Sequence, residues 1–328
     1  MDLIRNKKGV VFTVLAIVIA VFFTLMFSSK IEKPIDYKTE LIEIRIGTLN
    51  SYMISFFDYT QGVSSISGYS ALRGVIDDIH ARNAYNLNFE NQYLYCILTG
   101  NLTLSDTCPG MINRTLPYYL DTIRDMAEQE LNIYSNYIIN NITVTQVTDA
   151  FSIEIIVNLS LYVIDAYANI SDTRIVTGSV SIDGIQDPLY MLEGDYNQSI
   201  KRTALRKKEG DWNYTDLQQL YANHEYRSYK DGISFINRIK GNFSPNLFGI
   251  ESIVNHTHPI VLADYTFNDT MIDYLYWLNV TFECRTPVEV VEIDPAIIAP
   301  AGFQLDETHR LSFNISSIDV SITNGCPP

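Results

Sequence analysis

The residues best suited to chemistry are few and scattered. His256 and His258, in Asn255-His-Thr-His-Pro259, stand two apart, so an extended segment places both imidazoles on one side. With His224 or Asp264 they could begin a transition-metal site, since zinc takes imidazole and carboxylate ligands in sets of three or four. Two ligands on a loop, beside a glycosylation motif, are expected to be solvated instead. Asp183, Asp187, Glu193 and Asp195 offer carboxylates for a calcium loop but miss the EF-hand spacing. Glu128 and Glu130 are two apart and cannot share a helical face, which removes the nearest carboxylate pair for acid–base work. The chain has no Gly-x-x-x-x-Gly-Lys-Ser/Thr, His-Glu-x-x-His or Gly-x-Ser-x-Gly motif, and no Gly-x-Gly-x-x-Gly turn after a strand. The expectation is a non-enzymatic protein with no catalytic residues, cofactor, bound metal or evident small-molecule substrate.

Charge points the same way. The 328 residues carry a formal net charge of −15, which argues against nucleic acid and against docking on anionic lipid heads. Against this background Lys201, Arg202, Arg206, Lys207 and Lys208 form a basic cluster. It is either a candidate interface for an acidic neighbour or a solvated loop. With 22 Tyr and 15 Phe the chain is not a disordered stalk.

Covalent chemistry is better represented. Asn-x-Ser/Thr occurs at Asn101, Asn113, Asn141, Asn158, Asn169, Asn197, Asn213, Asn242, Asn255, Asn268, Asn279 and Asn314, about half of all asparagines and all beyond residue 100. Such density predicts N-glycosylation outside the cell. Asn158 and Asn279 lie in strand-like stretches and need outward side chains, and Ser244-Pro245 makes Asn242 a poorer acceptor. Cys96, Cys108, Cys284 and Cys326 suit an oxidising exterior. Three pairings are possible; Cys96–Cys108 with Cys284–Cys326 is favoured, because each pair flanks a coherent segment.

The elements that position these groups begin with an apolar run. Val10 to Phe27 contains no charge, and about twenty such residues at ~1.5 Å each match a ~30 Å hydrocarbon core. Arg5, Lys7 and Lys8 precede it, so the positive-inside rule predicts a single-pass protein in the cell membrane. Its N-terminus is then cytosolic and the bulk of the chain extracellular. The predicted order is a leader at 1–9, a transmembrane helix at 10–29 and an amphipathic helical spine at 35–82. An α+β head with an antiparallel meander follows at 83–182, then a loop-rich connection at 183–250 and a mostly β unit at 251–328. Ile42, Ile46, Leu49, Met53 and Phe56 give the spine its apolar stripe, continued by Tyr69, Leu72, Ile76 and Ile79. Between the two, Gly62 to Gly68 invites a kink or close packing. Leu116 to Ile133 predicts a helix, with Pro117 in its first turn. Strands are expected at Tyr137–Val147, Phe151–Ala166 and Thr173–Ile182, and in the last unit at Leu278–Phe282, Val288–Ile293 and Leu311–Ile322.

Lys7-Lys8-Gly9-Val10-Val11 and the apolar helix after it resemble the class III signal peptide of archaeal type IV pilin-like proteins. The resemblance implies cleavage after Gly9, an apolar helix that anchors the subunit or packs in a filament core, and a long helix laid on an antiparallel sheet. The Glu of bacterial pilins at the fifth mature position is replaced by Val14. Asp183-Gly-Ile-Gln-Asp-Pro-Leu-Tyr190, Tyr229 to Asn255, Ile272 to Trp277 and Phe303 to Asp306 are similar to uncharacterised archaeal surface proteins with this N-terminus. The implied partners are the bilayer, through residues 10–29, and other subunits or envelope proteins, with a role in surface structure, assembly or adhesion. A permanent signal-anchored ectodomain is the alternative, and a surface hydrolase or solute-binding protein a remoter one.

Overall fold

The computed structural model describes residues 16–22, 36–166, 168–264, 269–278, 290–295, 298, 302–316 and 320–322. The leader, the processing residues Lys7, Lys8, Gly9 and Val10, most of the apolar run, Asn268, Asn279, Cys284 and Cys326 lie outside them. Within the run, helix α1 is described over 16–22. No helix among the described residues is long and apolar enough to cross a membrane.

The fold is α+β. Its organising element is α2, Asp36–Arg82, a single helix of 47 residues. It lies against an antiparallel meander of β1 (Tyr134–Thr145), β2 (Ser152–Ile164) and β3 (Asn169–Ser181), in spatial order β1-β2-β3. Alternation along β2 sends Ile153, Ile155, Val157, Leu159, Leu161 and Val163 to the helix side, where all six are buried. Fully burying each such side chain contributes about 1.5–3 kcal/mol. From α2 they meet Leu49, Met53, Phe56, Leu72, Ile76 and Ile79.

The stripe is shorter than the sequence suggests. Ile42 and Ile46 are exposed, as are Leu41 and Ile44, because these turns extend past the end of the sheet. Arg45 marks that rim: its Nε donates to Asp165 Oδ2 at 2.5 Å, and its Nη atoms donate to the Leu131 and Asn132 carbonyls. The Arg45 hydrogen bond also holds the Asp165 carboxyl below its ordinary value.

The Gly62–Gly68 stretch is helical throughout, within α2, and its small residues let β3 approach. A Cβ on Gly178 would come within 2.8 Å of Ser64 Cβ and 2.9 Å of the Ser65 amide nitrogen. Ser64 and Thr60 turn their hydroxyls back to the Thr60 and Phe56 carbonyls, so their burial leaves no open polar group.

Helix α3, Phe89–Thr99, was not apparent in the polar, aromatic stretch that contains it. It carries Cys96, which is bonded to Cys108 across a Cα separation of 5.8 Å, against α2 at Gly74. Helix α4, Leu116–Leu131, starts as expected. Thr115 caps the Tyr118 amide, and Pro117 occupies the first turn.

The connection at 183–250 is mostly turns and irregular chain, and it carries four short elements: α5 (Pro188–Glu193), α6 (Tyr214–Asn223), β4 (Arg227–Ile233) and α7 (Phe235–Lys240). After these come β5 (Ile250–Glu251), α8 (Pro259–Asp264), α9 (Asp273–Trp277), β6 (Val290–Ile293), β7 (Gln304–Asp306), α10 (Glu307–Ser312) and β8 (Val320–Ile322). The last unit is therefore mixed. Strands β7-β6-β8 form a small antiparallel sheet, but the first four residues of the strand expected over Leu311–Ile322 are taken by the end of α10 and the turn after it. Asp306 caps α10 by accepting from the His309 amide, which commits the chain to helix there.

Candidate functional site

Three kinds of site have candidate residues in the sequence: a metal or carboxylate cluster, which is not expected to form, a basic interface, and covalently modified surface residues. The first does not assemble. Among the described residues no group of three His, Cys, Asp or Glu side chains is arranged to hold a metal ion. His256 Nδ1 lies 3.0 Å from the Tyr221 hydroxyl, and His258 stacks on Tyr196 at 4.3 Å between ring centres. The four acidic residues at 183–195 disperse. Asp183 accepts from the Arg202 amide, Glu193 accepts from Tyr85, and Asp187 turns inward.

The basic cluster divides. Lys201 pairs with Glu225, Arg202 with Asp149, and Lys207 with Asp216 at 2.6 Å. Arg202 also lies over the Phe151 ring, which ties the cluster to the sheet. Arg206 and Lys208 are exposed and make no ion pair among the described residues. Three of the five cations therefore act within the fold.

Every described sequon asparagine lies outside the core. Asn113, Asn141, Asn169, Asn197, Asn242 and Asn314 are exposed, and Asn101, Asn158, Asn213 and Asn255 are half-buried. By contrast Asn86, which is not in a sequon, is buried and donates to Gln92. Asn213 and Asn255 use their side-chain oxygens for local turns: Asn213 accepts from the Thr215 and Asp216 amides, and Asn255 from the Thr257 amide and hydroxyl. In both, the side-chain oxygen carries the turn.

Sequence reasoning missed two buried charge clusters. In the first, Arg238 is fully buried, and its Nη1 donates to Asp187 Oδ2 at 2.7 Å and to Asp273 Oδ2 at 2.9 Å. Its Nη2 donates to the Ile250 carbonyl. Asp187 also accepts from the Leu189 amide and the Tyr226 hydroxyl, and Asp273 from Ser252 through both its amide and hydroxyl. Burial raises the Asp273 carboxyl above its ordinary value despite the Arg238 charge, and Asp187 pushes in the same direction.

The second cluster surrounds His309. Its Nδ1 bonds Asp306 at 2.8 Å and its Nε2 bonds Glu251 at 3.2 Å. Glu251 also takes the Arg227 Nε at 2.6 Å, and the Arg227 guanidinium lies 3.9 Å over the Phe313 ring. Burial opposes charge on His309, but Glu251 and the hydrogen bonds to Asp306 and Glu251 outweigh it and push the imidazole up to about 10. Glu251 is likewise opposed by burial and drawn down to about 2 by Arg227 and His309. An imidazolium with both N–H groups committed to carboxylates has no lone pair to accept a proton. Beside Arg227 a shallow pocket of about 190 Å³ opens, lined by Trp212, Tyr229, Lys207 and Lys230. Its cations already have partners: Arg227 in Glu251, Lys207 in Asp216 and Lys230 in Glu209. What these clusters do is join segments far apart in the chain.

Most members of the two clusters lie in four short stretches of the sequence, while Arg227 and His309 lie outside them. Asp187 belongs to the Asp183–Tyr190 motif, Arg238 and Glu251 to Tyr229–Asn255, Asp273 to Ile272–Trp277 and Asp306 to Phe303–Asp306. An Asp followed by Pro at 187–188 was a readable helix-start signal. Its pairing with Arg238, 51 residues away, was not.

Comparison with family models, curated proteins and solved structures finds no match. The site must be interpreted from its own geometry.

Proposed function

We propose that this chain is a non-enzymatic, membrane-anchored and N-glycosylated surface protein of pilin-like construction, with its α+β body outside the cell. The observation that carries the proposal is the placement of the sequons. Ten described asparagines from separate elements all stay out of the core, as acceptors of a bulky polar group must. The Cys96–Cys108 bond suits the same oxidising compartment. Residues 39–44 of the long α2 are uncovered, which suits an anchored or filament-forming spine. The apolar run is the anchor, and subunits or envelope proteins are the partners.

Mass spectrometry of the native protein from membrane and sheared-surface fractions tests this. Sugar-bearing sequon peptides and a mature N-terminus at Val10 are expected. A chain that retains residues 1–9 and occurs only in membranes overturns pilin-type processing and leaves a signal-anchored ectodomain. Twelve bare sequons overturn the glycoprotein.

A further inference from the structure

Three sequons share the outer face of the meander, and the sheet does not treat them alike. Asn141, on edge strand β1, lies directly opposite Asn158, on central strand β2, with Ile175 of β3 on the far side. Side chains so paired have Cβ atoms about 4.5–5.5 Å apart, and strands lie ~4.8 Å apart, about the width of one sugar ring. A register shift between Ile139 and Asn141 leaves Asn140 as an extra residue at this point. Its Nδ2 donates to Asn158 Oδ1 at 3.3 Å and to Ser160 Oγ at 2.8 Å, and Ser160 Oγ lies 2.8 Å from Thr173 Oγ1. Ser160 is the hydroxyl residue of the Asn158 sequon, and it is buried. Thr143 and Ser171, which complete the sequons of Asn141 and Asn169, are both exposed.

We infer that Asn141 and Asn169 carry the sugars of this sheet, and that Asn158 stays bare as part of an amide–hydroxyl ladder with Asn140, Ser160 and Thr173. The inference rests on the glycoprotein proposed above and goes beyond it by ranking the acceptors. A transferase must engage both the asparagine amide and the hydroxyl two residues on. At Asn158 the hydroxyl is buried and bonded, the amide oxygen is engaged, and the strand is paired on both sides. At Asn141 the hydroxyl is open and the strand is paired on one.

Glycopeptide mass spectrometry of the full chain, from a host that glycosylates it, gives the test. Cleavage after Phe151 and Tyr162 puts the three asparagines on separate peptides. The expected result is sugar at Asn141 and Asn169, with occupancy at Asn158 several-fold lower. Asn140→Ala should raise Asn158 occupancy several-fold, by releasing the Asn158 amide oxygen and one of the two hydrogen bonds on Ser160 Oγ. Equal occupancy at Asn141 and Asn158, or no response to Asn140→Ala, overturns the inference while leaving the glycoprotein intact. Bare asparagines on this sheet beside modified ones elsewhere also overturn the ranking alone. An entirely sugar-free chain overturns both.

Discussion

The layer from α2 to β3 and the region from α5 onward solve the same problem in opposite ways. In the first, the buried polar residues are uncharged: Thr60, Ser64, Ser67, Asn86, Gln146 and Ser160. In the second, Asp187, Arg227, Arg238, Glu251, Asp273, Asp306 and His309 are all buried. The difference follows from the lengths of the elements. A 47-residue helix against strands of 12 or 13 residues covers itself with apolar surface and saturates its own backbone. The elements of the second region, from a two-residue strand to a ten-residue helix, are mostly too short to do either. A guanidinium with its several donors in fixed directions can bridge many such ends, as Arg238 does. Apolar layers tolerate imprecision, whereas charge clusters demand that every member be present.

The largest test of this contrast is Arg238→Ala. It strands two buried carboxylates and should cost about 3–5 kcal/mol, seen as a large drop in the urea midpoint. If the loss stays below that of an ordinary surface substitution, the cluster does not hold the second region together.

Next in size is the disulfide. Cys96→Ala with Cys108→Ala opens a link of sequence separation 12 and should cost about 3 kcal/mol on the chain-entropy account. The loss should appear in the first region's transition, leaving the second region's charge clusters unaffected.

A pH series sharpens the same contrast. Glu251 is depressed, so its contribution is present above its ordinary value near 4.5 and is lost as pH falls through about 2. His309 is raised, so its contribution is complete below about 6.5 and is lost as pH rises through about 10. The second region should therefore be firmest between these limits and weaken on the alkaline side. His309→Gln should remove that alkaline slope; an unchanged slope would assign it elsewhere.

The smallest expected effect is Gly178→Ala, which forces a methyl against Ser64 and the Ser65 backbone. It should cost about 1–3 kcal/mol by overpacking, measured in the same melts. A neutral result would show that β3 can lift from α2.

Much of the first region was legible in the sequence. Alternation over Phe151–Ala166 gave β2 to within two residues at either end, and the four–three spacing of Leu49, Met53 and Phe56 gave the buried stripe of α2. Ile42 and Ile46 carried the same spacing beyond the sheet, where periodicity cannot say what lies opposite. The second region was misjudged because its elements are shorter than a period-based signal needs. Its charged residues look like solvated ones until partners 24 to 58 residues away are known. The sequons were countable from the start. That Ser160 is buried and Thr143 is not depended on strand register, which pattern alone does not supply.

The Arg238 cluster also has a consequence for biogenesis. A chain synthesised from its N-terminus exposes α2 to β3 first, and that layer finds its pairing partners within its own stretch. Asp187 then waits for Arg238, and Arg238 for Asp273, with nothing buried safely until the last has emerged. The second region therefore matures in one late step. During that interval a quality-control protease or a holding chaperone would meet a finished N-terminal layer trailing an open, acidic tail.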